Sequence, residues 1–249
     1  MKNQGISLGS AVWERGGASE ISRNQFVLLM GFFTFLGLGL TAVLAYFTTG
    51  WMHIVPAVEE GGKATYAWAG PINFWLFWVG VLVTSIIGIF IALGSDKPAV
   101  SLIGYALVAG PFGLLLGPVV GMYTAMSIVK VIIVTGGVTG VLTLIGAIIP
   151  ESLENWGGWL FGGLLILLFG SLGVPLLGLL IPGFPVQGAL TFLDWVGVFL
   201  FSAYIIFDMN RAMRVPATVD NAIDCALALY LDIINLFIRL LEIMGQKKD

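Results

Sequence analysis

Chemistry-bearing side chains are scarce in this chain. One cysteine, Cys225, stands among 249 residues, so no disulfide can close within it. One histidine, His53, excludes a metal site built from several imidazoles. Charged residues make up 10% of the chain, against about 25% in soluble domains. No basic block offers a nucleic-acid surface, and no GxxxxGK[ST] loop offers a phosphate cradle. No internal repeat or low-complexity tract stands out. The formal charge of −3 identifies no partner when most of the surface faces lipid.

What fills the space is hydrocarbon. The chain is 58% hydrophobic, with a mean hydropathy of +1.00. That is the composition of an integral membrane protein. A window of about 20 apolar residues predicts seven spans: Phe26–Phe47, Phe74–Leu93, Ala99–Val120, Ala125–Ile149, Gly158–Ile181, Ala189–Met213 and Val219–Met244. The expected fold is therefore all-α, with a flexible polar arm over 1–25, a seven-helix domain over 26–245 and a short polar tail over 246–249. The arm is read as a soluble segment rather than a cleavable signal, because the first apolar stretch is long enough to stay as a span. Short connectors make sequential helices antiparallel neighbours. The longest loop, Thr48–Asn73, carries Glu59, Glu60, Lys63 and the interface-type aromatics Trp51, Tyr66 and Trp68. Placing the N-terminus inside puts Lys2, Arg15, Arg23, Lys97, Arg211 and Arg214 on the cytoplasmic side, in line with the positive-inside rule. Glycine is abundant, 34 residues, and runs such as GGVTG (136–140) and GGWLFGG (157–163) suit close helix packing. Pro118 and Pro175 predict kinks.

Charges within these spans are few: Lys130 in the fourth, Asp194 and Asp208 in the sixth, and Asp224, Asp232, Arg239 and Glu242 in the seventh. Asp194 is near enough to its span end to snorkel. Asp208 has Arg211 three residues on, within reach of a helix-surface ion pair. The last span is the odd one. At 100° per residue, Asn221, Asp224, Asp232, Asn235, Arg239 and Glu242 fall within one stripe about 80° wide. Asp232 sits at mid-depth, where a carboxylate is costly and needs a counter-ion, a water-filled path, a proton or a hydrogen bond across the bundle. Arg239 lies roughly 10 Å farther along the axis, beyond direct intrahelical reach. Lys130 is the other deep charge able to approach Asp232.

Deep carboxylates on adjacent helices suggest a cation or proton pathway, since carboxylate oxygens suit hard cations such as Ca²⁺. An intramembrane aspartyl protease would need a YD on one helix and a GxGD on the next. The contexts here, IIFDMNR and LYLDIIN, have neither, and no enzyme activity is expected. A retinal protein would need a lysine in Val219–Met244, which contains none.

Two stretches carry a family resemblance. FSAYIIFDMNR (Phe201–Arg211), followed after a short loop by ALALYLDIINLFIRLLEIMG (Ala226–Gly245), resembles the C-terminal signature of the Bax inhibitor-1 family, the transmembrane Bax-inhibitor-motif proteins. GYALVAGPFGLLLGPVVG (Gly104–Gly121) is similar to that family's third helix. The resemblance implies seven helices with the last one central, and a pH-sensitive Ca²⁺ leak gated by a hydrogen-bonded aspartate pair. The matching positions are Asp208 and Asp232, which would be both pH sensor and ion pathway and would offer oxygens to a passing Ca²⁺. Asp224, Asn235 and Arg239 would form the supporting polar stripe, with Asp224 attracting cations at one mouth. Arg211 and Lys130 are the candidate counter-ions. They stand in for a basic residue that family members often carry near the end of the second helix, where this chain has IALGSDKPAV and only Lys97. The pairing of the aspartates comes from the family and not from spacing. Equal depth on antiparallel helices needs a turn near residue 220, whereas Pro216 places it earlier, leaving an offset of some 10 Å.

The expected partners are the lipid bilayer, Ca²⁺ and protons, with no resident cofactor and no nucleic acid. The expected location is a bacterial inner membrane. The alternative function is a non-conducting regulator of a membrane-bound protease or of a cell-death or stress pathway.

Overall fold

Polar side chains cover the open N–H groups at the start of several helices. Ser22 accepts from the Gln25 amide, and the Gln25 side chain returns the bond to the Ser22 backbone, a capping box that starts α1 (Arg23–Thr48). Asn73 accepts from the amides of Trp75 and Leu76 to start α2 (Phe74–Leu93). Pro98, whose missing N–H costs nothing at a first helical position, opens α3 (Pro98–Gly121). Thr124 caps α4 (Ala125–Ile148). A 3-10 turn, Glu154–Trp156, leads into α5 (Gly157–Leu180). Then come α6 (Val186–Ala212) and α7 (Val219–Met244). Thr218 Oγ1 accepts from the Asn221 amide at the head of α7. These elements come from a computed structural model, which describes residues 20–58 and 64–248. Most of the predicted arm, and Glu59, Glu60 and Lys63 of the long loop, lie outside the described residues.

The all-helical expectation is corrected at one place. The loop Thr48–Asn73 holds two antiparallel strands, β1 (His53–Val58) and β2 (Ala64–Ala69), paired from His53 opposite Ala69 to Val58 opposite Ala64. Two short strands in one hairpin satisfy each other's backbone without a larger sheet, so a hydropathy window does not register them.

Six helices, α1 to α6, are long and apolar enough to cross a membrane. The protein is thus an integral, multi-pass membrane protein. Among the described residues α7, the seventh predicted span, is not one of these six; it carries Asp220, Asp224, Asp232, Arg239 and Glu242. Burial separates it from the others as well. Phe35, Phe90, Trp159 and Leu179 on the other helices are among many large apolar side chains left exposed, as lipid-facing surface requires, and α7 contributes none. Ala222, Ala226, Tyr230, Leu236 and Leu241 of α7 are almost fully buried.

The chain forms two compact units. One contains α1, the hairpin, α2, α3 and the start of α7 up to Leu227. Its helices touch backbone to backbone. A Cβ on Gly104 of α3 would meet Ala92 N, Gly88 O at 2.6 Å and Ala92 Cα at 2.8 Å, all on α2. On the α1 side, Thr41 donates to Ala109 O at 3.1 Å and Tyr105 donates to Phe33 O at 3.1 Å. These hydroxyls add hydrogen bonds where membrane helices otherwise have only van der Waals contact. The segment entering α7 is tied to α1, with Ile21 N–H donating to Ala217 O at 2.7 Å and Arg23 to Val215 O at 3.0 Å.

The other unit contains α4, the 3-10 turn, α5, α6 and α7 from Ala228. Gly146 lets α4 lie against Ile206 of α6, and Gly163 and Gly170 of α5 face Leu200 and Leu193 of α6. The glycines of the GGVTG run behave otherwise. Among the described residues, nothing lies within 4 Å of a Cβ placed on Gly136, Gly137 or Gly140. Close packing uses single glycines at helix crossings, Gly163 of the GGWLFGG run among them, and not the GGVTG run.

Replacing Gly104 by alanine is expected to cost roughly 1–3 kcal/mol, the cost of overpacking, whereas Gly31→Ala, which meets nothing within 4 Å, should leave stability unchanged or raised. Thermal unfolding of the two variants in detergent separates them.

Candidate functional site

The second unit gathers the deep polar groups. Asp208 lies on the last two turns of α6 and Asp232 at the middle of α7. Their side chains lie close enough for each carboxyl to act on the other. Asp232 is 6% exposed and its Oδ2 has no hydrogen-bond partner among the described residues. Tyr204, one turn before Asp208, faces both carboxyls, and Arg211, nearly one turn after it, is the positive charge acting on Asp208. The Tyr204 ring stacks on Phe201 at 6.2 Å. Phe207, which precedes Asp208 in the chain, is buried against Leu153 and Leu160.

A simple hairpin of antiparallel helices would leave the two aspartates out of step by several residues. The connection is not a simple hairpin. After the turn at Met213 and Arg214, residues 215–218 run without helix and turn locally, Thr218 N–H donating to Pro216 O at 2.9 Å, before α7 begins.

The remaining predicted residues are distributed as follows. Arg239 leaves the stripe to form an ion pair with Asp194 of α6, at 2.7 Å between NH1 and Oδ1. Asp194 is buried, 8% exposed, so the snorkelling reading is corrected: a guanidinium on α7 keeps its carboxylate inside the protein. Asn235 donates to Leu231 O one turn back, at 2.8 Å, and so spends a donor within its own helix. Lys130 is exposed on α4, which removes it as a counter-ion for the pair; a long ammonium chain is cheaper in the open than desolvated. Lys97 is also exposed, in the turn before α3.

Asp224 belongs to the other unit. It is 4% exposed, its Oδ1 is unpartnered, and the charges acting on it are Asp220 and Asp96. Asp220 accepts a 2.7 Å bond from Ser101 Oγ of α3, which also donates to Ala92 O of α2 at 3.2 Å. Instead of an open mouth, Asp224 occupies a buried acidic corner. Among the described residues no three His, Cys, Asp or Glu side chains come together in a way suited to a metal ion. Two carboxyls fall well short of the six to eight oxygens that hold Ca²⁺, so Asp208 and Asp232 do not by themselves form a resident calcium site.

Two residues were missed by reasoning from sequence. Asp220 falls outside the polar stripe of α7, and only its distance from Ser101 reveals it. Asn210, two residues after Asp208, is 1% exposed. Its amide nitrogen donates to the carbonyls of Gly146, Ile149 and Glu151, and its oxygen accepts from Leu153 N–H at 3.1 Å. Arg214 adds bonds to Asn210 O and Pro150 O, both at 2.8 Å. Together they fasten the α4–α5 connection to the end of α6 that carries Asp208. The FDMNR motif holds both residues, but a lone asparagine gives no sign of where its bonds go.

The fold and site define a multi-pass helical membrane protein with a buried carboxyl pair between its last two helices. The sequence profile of the family described as Inhibitor of apoptosis-promoting Bax1 matches residues 23–249, and the chain belongs to this family, the Bax inhibitor-1 family. It is 29% identical over 145 residues to the inner membrane protein YbhL of Escherichia coli, covering 55% of this chain and 59% of that one. Over 141 residues it is 31% identical to Bax inhibitor 1 of Schizosaccharomyces pombe, covering 55% of this chain and 49% of that one. A longer match, 28% over 230 residues, covers 86% of this chain and 85% of an uncharacterised protein of Caulobacter vibrioides. The chain therefore aligns with less than two thirds of the length of the two named relatives.

Removing the Asn210 side chain strips partners from a buried N–H and three carbonyls. Asn210→Ala should lower stability by roughly 1–3 kcal/mol, read by denaturant unfolding in detergent; an unchanged midpoint would show that the α4–α5 connection is held without it.

Proposed function

We propose that this protein is a pH-sensitive Ca²⁺ leak pathway whose gate is the pair Asp208 and Asp232. The observation that carries the proposal is the proximity of the two carboxyls across the α6–α7 seam, with Asp232 buried. An ionised carboxylate only accepts hydrogen bonds, so the two are held together only when one of them carries a proton. Loss of that proton leaves two like charges side by side in an apolar setting, and their repulsion separates α6 from α7. A hard cation then finds carboxylate oxygens where a proton had bridged them. Arg211 and Tyr204 set the electrostatic surroundings of the pair. Protonation is the switch, the α6–α7 seam is the moving element, and Ca²⁺ is the passing ion.

The same reading makes α7 the seventh span. Its acids are costly only if they meet lipid, and burial on nearly every face of α7 keeps them from it. The bacterial inner membrane is the location proposed, in keeping with the printed description of YbhL as an inner membrane protein.

The test is flux from liposomes containing the purified chain. Ca²⁺ release should change with pH in the wild type, and Asp208→Asn or Asp232→Asn should flatten that dependence, because an amide carries the hydrogen bonds of a protonated carboxyl without its charge. Absence of flux at every pH would overturn the leak and favour a non-conducting regulator of a membrane-bound protease or a stress pathway.

A further inference from the structure

The polar seam between α6 and α7 has a second contact that the gating pair does not use. We propose that Asp194 and Arg239 are positioning residues: their ion pair sets the register of α7 on α6, so that Asp232 meets Asp208. This rests on the reading of Asp208 and Asp232 as a functional pair.

The geometry supports a built contact rather than a chance one. Arg239 NH1 lies 2.7 Å from Asp194 Oδ1, and NH2 lies 3.5 Å from Ser171 Oγ on α5. The stem of Arg239 crosses α6 at Gly197, where a Cβ would lie 2.9 Å from Cγ, 3.0 Å from Cδ and 3.1 Å from Nε. Only glycine leaves room for that path. The guanidinium is thus threaded over α6 to a carboxylate that is itself buried.

Position along the helices gives the contact its role. Arg239 follows Asp232 by two turns, roughly 10 Å, and points within about 20° of the same direction. Asp194 precedes Asp208 by four turns and lies within about 40° of it. Both polar contacts therefore sit along one seam. A single contact leaves α7 free to turn or slide about it; two contacts separated along the axis fix both motions. In a membrane, apolar side chains slip past one another at little cost because lipid is equally apolar, and register has to come from polar contacts and close fits.

The charged and titratable groups facing the aspartate pair are Tyr204 and Arg211 of α6. Lys130 of α4 and Glu242 of α7 are exposed. Arg239 thus acts on the pair through helix placement.

The experiment is a pH titration of the infrared band of protonated carboxyl groups, on the full chain in lipid nanodiscs, with the pair's contribution assigned by its loss in Asp232→Asn. Two hydrogen-bonded carboxyls release their protons in two separate steps. In Arg239→Gln and Asp194→Asn these steps should draw together by about one pH unit or more, a tenfold change in proton affinity, because the carboxyls no longer meet. Arg239→Lys, which keeps a cation for Asp194, should restore most of the separation; failure to restore it would assign the effect to lost packing and overturn the proposal. Gly197→Ala keeps every charge and crowds the Arg239 stem, and it should narrow the separation in the same direction. Should Arg239→Gln not fold, Gly197→Ala decides the matter. Two steps that stay apart as in the wild type, in any of these variants that folds, would overturn the positioning role. The readout does not need flux: wild-type liposomes that leak no Ca²⁺ overturn the proposed function, while the carboxyl titration still tests the register.

Discussion

A carboxyl group held among apolar helices must find its partner inside the protein, because lipid offers none. That constraint organises the C-terminal half of this chain. Asp232 is answered by Asp208, Asp194 by Arg239 and Asp220 by Ser101. Each bond joins α7 to another helix. The helix least suited to lipid by composition is therefore the one most engaged with protein, and its burial follows from its polarity.

The rest of the structure serves that helix by close backbone approach. Hydrophobic burial does little to hold helices together in lipid, so van der Waals contact and hydrogen bonds must do it. Gly88 with Gly104, and Gly146 with Ile206, bring backbones together. Thr41 and Tyr105 add hydroxyl bonds to carbonyls of neighbouring helices. Asn210 and Arg214 carry the same logic into a connection, fixing the backbone next to Asp208. A contact between two carboxyls on neighbouring helices needs such a frame, since a small displacement of either helix parts them.

Some of this was legible in the residues. The helices α2 and α7 begin and end where hydropathy placed them, α4 begins where it was placed, and the remaining ends moved by one to three residues, because hydropathy is averaged over a window and does not mark a helix end. The family was readable from the FDMNR and LYLDIIN stretches. The hairpin at 53–69 was not, because two short strands carry no helical periodicity and sit inside a loop-like composition. Asp194 was misjudged because depth along one helix says nothing of a cation on another. Lys130 was misjudged in the opposite sense, since a charge inside an apolar run has no visible facing.

The sequence by itself determined that the chain lives in a membrane, where six of its apolar helices lie and that the last helix carries a polar stripe, because composition and a period of 3.6 residues act locally. Only the tertiary structure decided which charges meet. Asp208 and Asp232 are 24 residues apart and Asp194 and Arg239 are 45 apart. Whether such groups touch depends on helix tilt, on the non-helical stretch at 215–218 and on the space left at Gly197. These are properties of packed helices and not of any one segment.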